Sequence, residues 1–409
     1  MMNSHIEIIC SFCGKNKKQV KKMLSGIDNI YICDECVELS HGVLQDEKIS
    51  ESKKDDTATL AGWYRSLKPK EIHDYLNEHV IGQEIVKKGV SVAIYNHCKR
   101  IFNNTAVPIQ KNNVLLIGPT GVGKTLIAQT LAECLDVPFV ITDATTLTES
   151  GYAGDDTEVL IHKLFQNSDY NKLKTEIGII YVDEIDKKAK RNDMVTLSRD
   201  VSGEGVQQSL LKLMEGVVIK VPNQSGKAPD MIEIDTTNIL FIVSGAFVGI
   251  DDVVLQRLGK SKIGFKNENS NRDAVWEENL EAGDLVKYGL IPEFIGRLPS
   301  INILYELSND EMRRILIEPK HSIVKQYQAL FEIDGIELEF NDESLDAIVN
   351  IAIKQNLGAR GLRKIIDQAL LQVQYDLPEL KIKGIKKVII TQPTIEQNAE
   401  PMMIEGSIS

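Results

Sequence analysis

The 409-residue sequence has no uninterrupted apolar run near the ~18 residues that a bilayer-spanning helix needs, which argues against a membrane-embedded chain. It has no surplus of positive charge either. Its 47 Lys and Arg are outnumbered by 59 Asp and Glu, and a net charge of −12 gives no general attraction to nucleic acid or to an anionic membrane. The first residues, with Glu7 and Cys10 early, lack the pattern of a secretory leader, so the expected location is cytoplasmic. There is no internal repeat, and no nucleophile, base and oxyanion set of the kind a peptidase needs. What remains is a globular composition, 43% hydrophobic and 26% charged, long enough for two or three domains.

Cysteine is scarce but patterned. Four of the six fall into two pairs, Cys10/Cys13 and Cys33/Cys36, the C-x2-C spacing of a structural zinc site. Four thiolates around one Zn²⁺ leave no position open for a substrate. The metal also supplies stability that fewer than about fifty residues struggle to obtain from a core. Two disulfides or a redox pair would use the same spacing, but a cytosolic chain disfavours them. His41, just past the fourth cysteine, is a substitute ligand or an exposed histidine; Cys98 and Cys134 lie in helical patterns and read as small core residues.

The most specific signal lies further on. Gly118, Pro119, Thr120, Gly121, Val122, Gly123, Lys124 and Thr125 follow an apolar run, Asn113 to Ile117, and lead into a helical pattern from Leu126 to Leu135. This is the strand, phosphate loop and helix of a nucleoside triphosphate site: backbone N–H groups close round the phosphates, Lys124 adds charge, and the Thr125 hydroxyl can ligate Mg²⁺. A second β-rich run, Ile177 to Val182, ends in Asp183 and Glu184. Asp183 suits the Mg²⁺ shell and Glu184 suits polarising the attacking water. Ser244, ending the run Ile239 to Val243, reads equally as a phosphate contact or a plain serine. From spacing alone Arg297 serves as well for a helix cap or a surface arginine as for a group on the transferring phosphoryl, and Arg360 is similarly open.

Strands alternating with helices predict a parallel α/β sheet covered on both faces. The expected organisation is a zinc-binding domain at 1–47, a charged flexible linker at 48–65, a large α/β ATPase domain at 66–306, a small mainly helical domain at 307–391, and a disordered tail at 392–409. Within the small domain, Asp310 to Phe331 and Ser344 to Lys354 read as helices and Lys387 to Thr391 as a strand.

Together with the box Val80-Ile81-Gly82-Gln83, the run Val182 to Lys187, Arg199 to Gly205, Ile263-Gly264-Phe265, the Arg297 segment and Gly358 to Arg363, these motifs resemble, in order and spacing, the ClpX family of AAA+ unfoldases, which feed proteins to the ClpP peptidase. The resemblance runs from about Cys10 to Val388. It implies an AAA+ P-loop core, a small helical C-terminal domain and a treble-clef-like N-terminal module holding one Zn²⁺ per subunit. It further implies that Val80 and Ile81 flank adenine, that Leu126 joins the nucleotide contacts, that Arg297 is a finger acting on a neighbouring subunit, and that Arg360 senses nucleotide from the small domain. Tyr152 and Ala153, with Arg199, would be pore residues that grip a translocating chain; without the resemblance Tyr152 is an ordinary turn tyrosine. Ile263, Gly264 and Phe265 would dock on the peptidase, each subunit adding a weak contact that a ring sums by avidity.

The implied activity is ATP hydrolysis coupled to unfolding tagged proteins, threading them through a homohexameric pore to ClpP, and chaperone action without the peptidase. The implied partners are substrates and adaptor proteins, with zinc modules that dimerise, and neither nucleic acid nor membrane. The family usually has Val where Ala153 stands, and an Arg-Lys-His cluster where this chain has Gly226-Lys227-Ala228-Pro229, so recognition of negatively charged C-terminal tags is expected to be weaker or altered. Two competing functions, a nucleic-acid remodelling ATPase and a non-catalytic scaffold, are opposed by the acidic balance and by the intact carboxylate pair respectively.

Overall fold

A computed structural model describes residues 9–27, 30–40, 67–102, 107–148, 155–190, 203–223, 230–259, 272–355 and 357–405. It divides into two units, Met1–Ser66 and Leu67–Ser409.

In the first unit the turn holding Cys10 and Cys13 precedes a short antiparallel hairpin, Met23–Ser25 with Tyr31–Cys33, and a helix over 34–40. A knuckle, a hairpin and a helix are the parts of a treble clef. The only fully buried apolar side chains described in this unit are Cys10 and Cys33, so there is almost no hydrophobic core beside the sulfur cluster.

The second unit is organised by a parallel five-stranded sheet. Its order across the sheet is Ser300–Ile303, Val114–Ile117, Leu240–Gly245, Ile179–Asp183 and Phe139–Asp143. All four residues of Val114–Ile117 and all six of Leu240–Gly245 are buried, as expected for strands covered on both faces. Because the strands are parallel, their carboxyl ends share one edge, where α/β sheets bind ligands. The strand Leu240–Gly245 lies between the strand that leads into the phosphate loop and the strand that ends in Asp183. The core on this sheet includes Leu115, Ile180, Phe241, Phe165 and Leu210.

A second core, from Met312 to Ile395, is built from helices Asn309–Ile317, Ile323–Ile333, Asp342–Lys354 and Gly358–Ile382 with a three-stranded sheet. Two expectations are corrected here. The helical reading from Asp310 to Phe331 is broken over 318–322, where Pro319 has no N–H to continue the ladder. The segment expected to be a disordered tail forms a helix, Gln392–Gln397, with Ile395 buried in the second core, and a strand, Met402–Glu405, antiparallel to Ile385–Ile390. Among the described residues no helix is long and apolar enough to cross a membrane.

Candidate nucleotide site and zinc centre

Helix Lys124–Leu135 starts from Gly123, whose φ of 101° belongs to the left-handed region that only glycine enters freely. Gly118 is pressed so close to the next segment that a Cβ would lie 2.5 Å from the Leu304 carbonyl oxygen. These two glycines let the loop turn back over the end of the sheet. The Lys124 ammonium donates to the carbonyls of Gly118 and Pro119 at 2.6 and 2.7 Å. Burial lowers its pKa, opposed by the nearby Asp183 carboxylate.

Around the loop lies a cavity of about 450 Å³, lined by Thr120, Gly121, Gly123, Lys124, Thr125 and Leu126, by Asp183, Glu184, Asp186 and Lys187, and from the second core by Ala359 and Arg360. The structure therefore gathers the phosphate loop, both carboxylates and Arg360 around one space. Gln129, Ala246 and Val248 also line it and were not singled out in the sequence. Glu184 is exposed and takes a left-handed φ of 56° at the turn, separating its side chain from Asp183. Cavities lined by a few convergent charged groups at such an edge are where ligands bind.

Asp183 is held by a relay of hydroxyls. Ser244 Oγ donates to Asp183 Oδ1 at 2.5 Å, and Tyr181 OH lies 2.7 Å from Ser244 Oγ and 3.2 Å from Thr125 Oγ1. Each hydroxyl carries one proton. Since Ser244 spends its proton on Asp183, Tyr181 must donate to Ser244, and the single Thr125 proton goes either to Tyr181 or directly to Asp183 Oδ2, 3.4 Å away. Burial raises the Tyr181 pKa and keeps the phenol protonated for this task. Ser244, 0% exposed, thus contacts Asp183 and not open space. Tyr181 was readable only as an apolar strand residue, although its place two residues before Asp183 puts it on the same face of the strand.

Val80 and Ile81 are buried and do not line the cavity. Gln83 clamps their segment to the chain after the sheet's edge strand: its Nε2 donates to Tyr305 O at 2.8 Å, and Tyr305 N donates to its Oε1 at 3.1 Å. The neighbouring Leu304 is the residue packed on Gly118. Arg297 also stands apart from the cavity. It precedes the strand Ser300–Ile303, whose Ser300 pairs with Val114 and whose Ile303 pairs with Ile117, so it sits at the amino-terminal edge of the sheet. The phosphate loop leaves from the other edge, at the far end of a four-residue strand spanning roughly 13 Å.

In the first unit the four sulfurs of Cys10, Cys13, Cys33 and Cys36 all lie within 4.8 Å of one another. Cys10 and Cys36 sulfurs are 3.9 Å apart and those of Cys13 and Cys33 are 3.6 Å apart, too long for the ~2.05 Å of a disulfide. A tetrahedron with Zn–S bonds of about 2.3 Å has sulfurs roughly 3.8 Å apart, so the donor set fits zinc. The Cys33 N–H donates to Cys10 Sγ at 3.3 Å. Burial pushes the Cys10 thiol up, but backbone donors at Cys13, Phe12 and Cys33 prevail and bring it down to about 6. Cys98 is buried and pushed up to about 12 and Cys134 to about 11, both by burial, as suits inert packing residues.

Tyr152, Ala153, Arg199, Lys227, Ile263, Gly264, Phe265 and His41, with the linker at 48–65, lie outside the described residues.

A zinc module of four cysteines and a P-loop α/β core joined to a second helical core define an AAA+ ATPase with a structural zinc unit. Family comparison agrees part by part: residues 8–46 match the ClpX C4-type zinc finger, 109–301 an AAA domain of the Cdc48 subfamily, and 307–384 the C-terminal D2-small domain of ClpB protein. Together the three matches indicate a ClpX-type AAA+ unfoldase.

Proposed function

We propose that this chain hydrolyses ATP to unfold proteins and thread them, as a homohexamer, through a central pore into a ClpP-like peptidase. Peptide-bond cleavage then belongs to the partner. The observation that carries the ring is the separation of Arg297 from its own cavity by the length of the sheet. An arginine at the amino-terminal edge cannot reach the phosphates held at the carboxyl edge of the same chain, so it serves the site of a second copy.

Within one site, the loop N–H groups from Gly118 to Thr125 and the Lys124 ammonium would bind the β and γ phosphates. Thr125 and Asp183 would hold Mg²⁺, which would offset the negative charge of the phosphates. The relay from Thr125 through Tyr181 and Ser244 fixes Asp183 for that task. Glu184 accepts the proton of the attacking water, and Arg297 of the neighbour stabilises charge developing on the transferring phosphoryl. Arg360, carried by the helical core, links nucleotide occupancy to movement of that core against the sheet. Adenine would extend past the phosphate cavity, which Val80 and Ile81 do not line, for these two residues to form its apolar seat beside the Gln83 clamp.

Tyr152 and Ala153 would supply the grip on substrate, Arg199 a second pore contact, and Ile263-Gly264-Phe265 the docking tripeptide. The zinc module would dimerise and recruit adaptors, in a cytoplasmic setting. Repeated turnover is needed because a native substrate is stabilised by about 5–15 kcal/mol and by a kinetic barrier as well.

The test is ATP-dependent loss of signal from a stable fluorescent protein bearing a C-terminal tag, compared with Glu184→Gln and Tyr152→Ala. Glu184→Gln should bind ATP and leave it intact, and Tyr152→Ala should turn ATP over without unfolding. Normal turnover in Glu184→Gln, or normal unfolding in Tyr152→Ala, would remove the corresponding role.

A further inference from the structure

Arg297 is half exposed, yet it is held at both its main chain and its side chain. Its Nε and Nη2 both donate to one oxygen, Glu215 Oε1, at 3.2 and 2.7 Å. Its main-chain carbonyl accepts from Asn113 Nδ2 at 3.0 Å. Asn113, 1% exposed, uses its own oxygen to accept from Phe241 N at 3.1 Å. The carbonyl of Arg297 is therefore tied, through one buried amide, to the start of the strand that leads to the phosphate loop and to the central strand beside it. At the beginning of the same segment Ile291 N donates to Gln207 Oε1 at 2.8 Å, and Gln207, 0% exposed, donates to Lys188 O at 2.8 Å.

Glu215 is an unexpected residue for its position. It is the last residue of helix Gly203–Glu215, where the helix dipole disfavours a carboxylate. The ion pair it makes is exposed on both sides, the kind that contributes little to stability. Folding energy therefore gives no reason for an acid there, whereas the geometry of the pair does. A guanidinium has a side edge, Nε with one Nη, and an end edge formed by its two terminal nitrogens. Glu215 occupies the side edge with a single oxygen, and among the described residues no acceptor meets the end edge.

We propose that Glu215 is a positioning residue for Arg297, aligning the guanidinium so that its open edge meets the triphosphate bound by a second copy of this chain. The inference rests on the reading that Arg297 acts across a subunit boundary. Asn113 and Gln207 fix the main chain of the arginine segment, and Glu215 fixes the direction of the side chain. Such alignment lowers the cost of reaching the transition state without adding affinity for the ground state.

Glu215→Ala should lower kcat for ATP about tenfold while KM moves by less than about twofold, since the interaction lost is one made in the transition state. Assembly by sedimentation and the melting temperature should stay at wild-type values. Glu215→Gln, which keeps the accepting oxygen, should retain most of the activity.

The decisive arm mixes subunits. Glu184→Gln subunits have an inert site and an intact arginine with its partner. Mixed into rings with Glu215→Ala, they should raise turnover per Glu215→Ala subunit, and the same mixing should rescue Arg297→Ala. Rescue of Arg297→Ala alone overturns the role of Glu215 and leaves the arginine's role standing. Rescue of neither overturns both. Wild-type kcat in Glu215→Ala also sinks the proposal. Should that variant fail to assemble, Glu215→Asp, which keeps the charge on a shorter arm, decides: reduced kcat in intact rings supports the alignment and unchanged kcat refutes it.

Discussion

At the scale of single residues, the most consequential arrangement is the hydroxyl relay on Asp183. Adjacent carboxylates at the end of a β-rich run were legible in the sequence, because acids after an apolar strand and downstream of a phosphate loop have few other uses. The relay was not, since it requires knowing that Leu240–Gly245 lies between the two strands concerned, and strand order is a property of the folded sheet. Ser244→Ala would remove a 2.5 Å bond to Asp183 and the nearer partner of the Tyr181 hydroxyl, which keeps only Thr125 at 3.2 Å. Losing a group that orients a metal ligand typically costs about 10–100-fold in metal affinity. The Mg²⁺ concentration that half-saturates ATP turnover should rise at least roughly tenfold in this variant, with metal-free nucleotide binding unchanged; a wild-type Mg²⁺ titration would show that Ser244 is simply packing.

Individual helices and strands show where periodicity succeeds and where it fails. Val114–Ile117, Ile179–Asp183 and Leu240–Gly245 were visible as short apolar runs because burial on both faces demands unbroken hydrophobicity. The C-terminal elements were missed for a matching reason. Met402–Glu405 is exposed along its whole length and shows no alternation, and Pro393 reads as a breaker although it occupies the first turn of Gln392–Gln397, where proline is tolerated. Ile395 distinguishes a folded end from a loose one. Truncating a buried Ile to Ala costs about 2–5 kcal/mol, so Ile395→Ala should lower the denaturant midpoint of the helical core measurably. An unchanged midpoint would mean that the segment contributes nothing to that core.

The whole molecule has two modes of stabilisation. The first unit depends on its sulfur cluster, for it has scarcely any apolar interior, while the second has two substantial cores of its own. Structural zinc supplies about 10–16 kcal/mol of apparent folding energy in small modules. Cys36→Ser, or a strong chelator, should therefore make residues 9–40 protease-sensitive. ATP turnover by the remainder should persist; collapse of turnover, or a module that resists digestion without metal, would count against this division. The motifs at 10–36 made this unit readable in advance, because metal-ligand spacing is written directly in the chain.

The placement of Arg297 and the phosphate loop at opposite edges of one sheet also restricts how copies can meet. A contact that joins one copy's arginine edge to another copy's phosphate edge in one direction only has a head and a tail, unlike the reciprocal pair of contacts that a twofold axis makes. Each added copy repeats the same rotation and offers the same unfilled edge to the next. The series ends only if the rotation closes on itself with no rise along the axis; any residual rise turns it into a filament. A closed assembly built this way has a handed direction round its circumference, so a single defective arginine would silence one boundary and leave the others working.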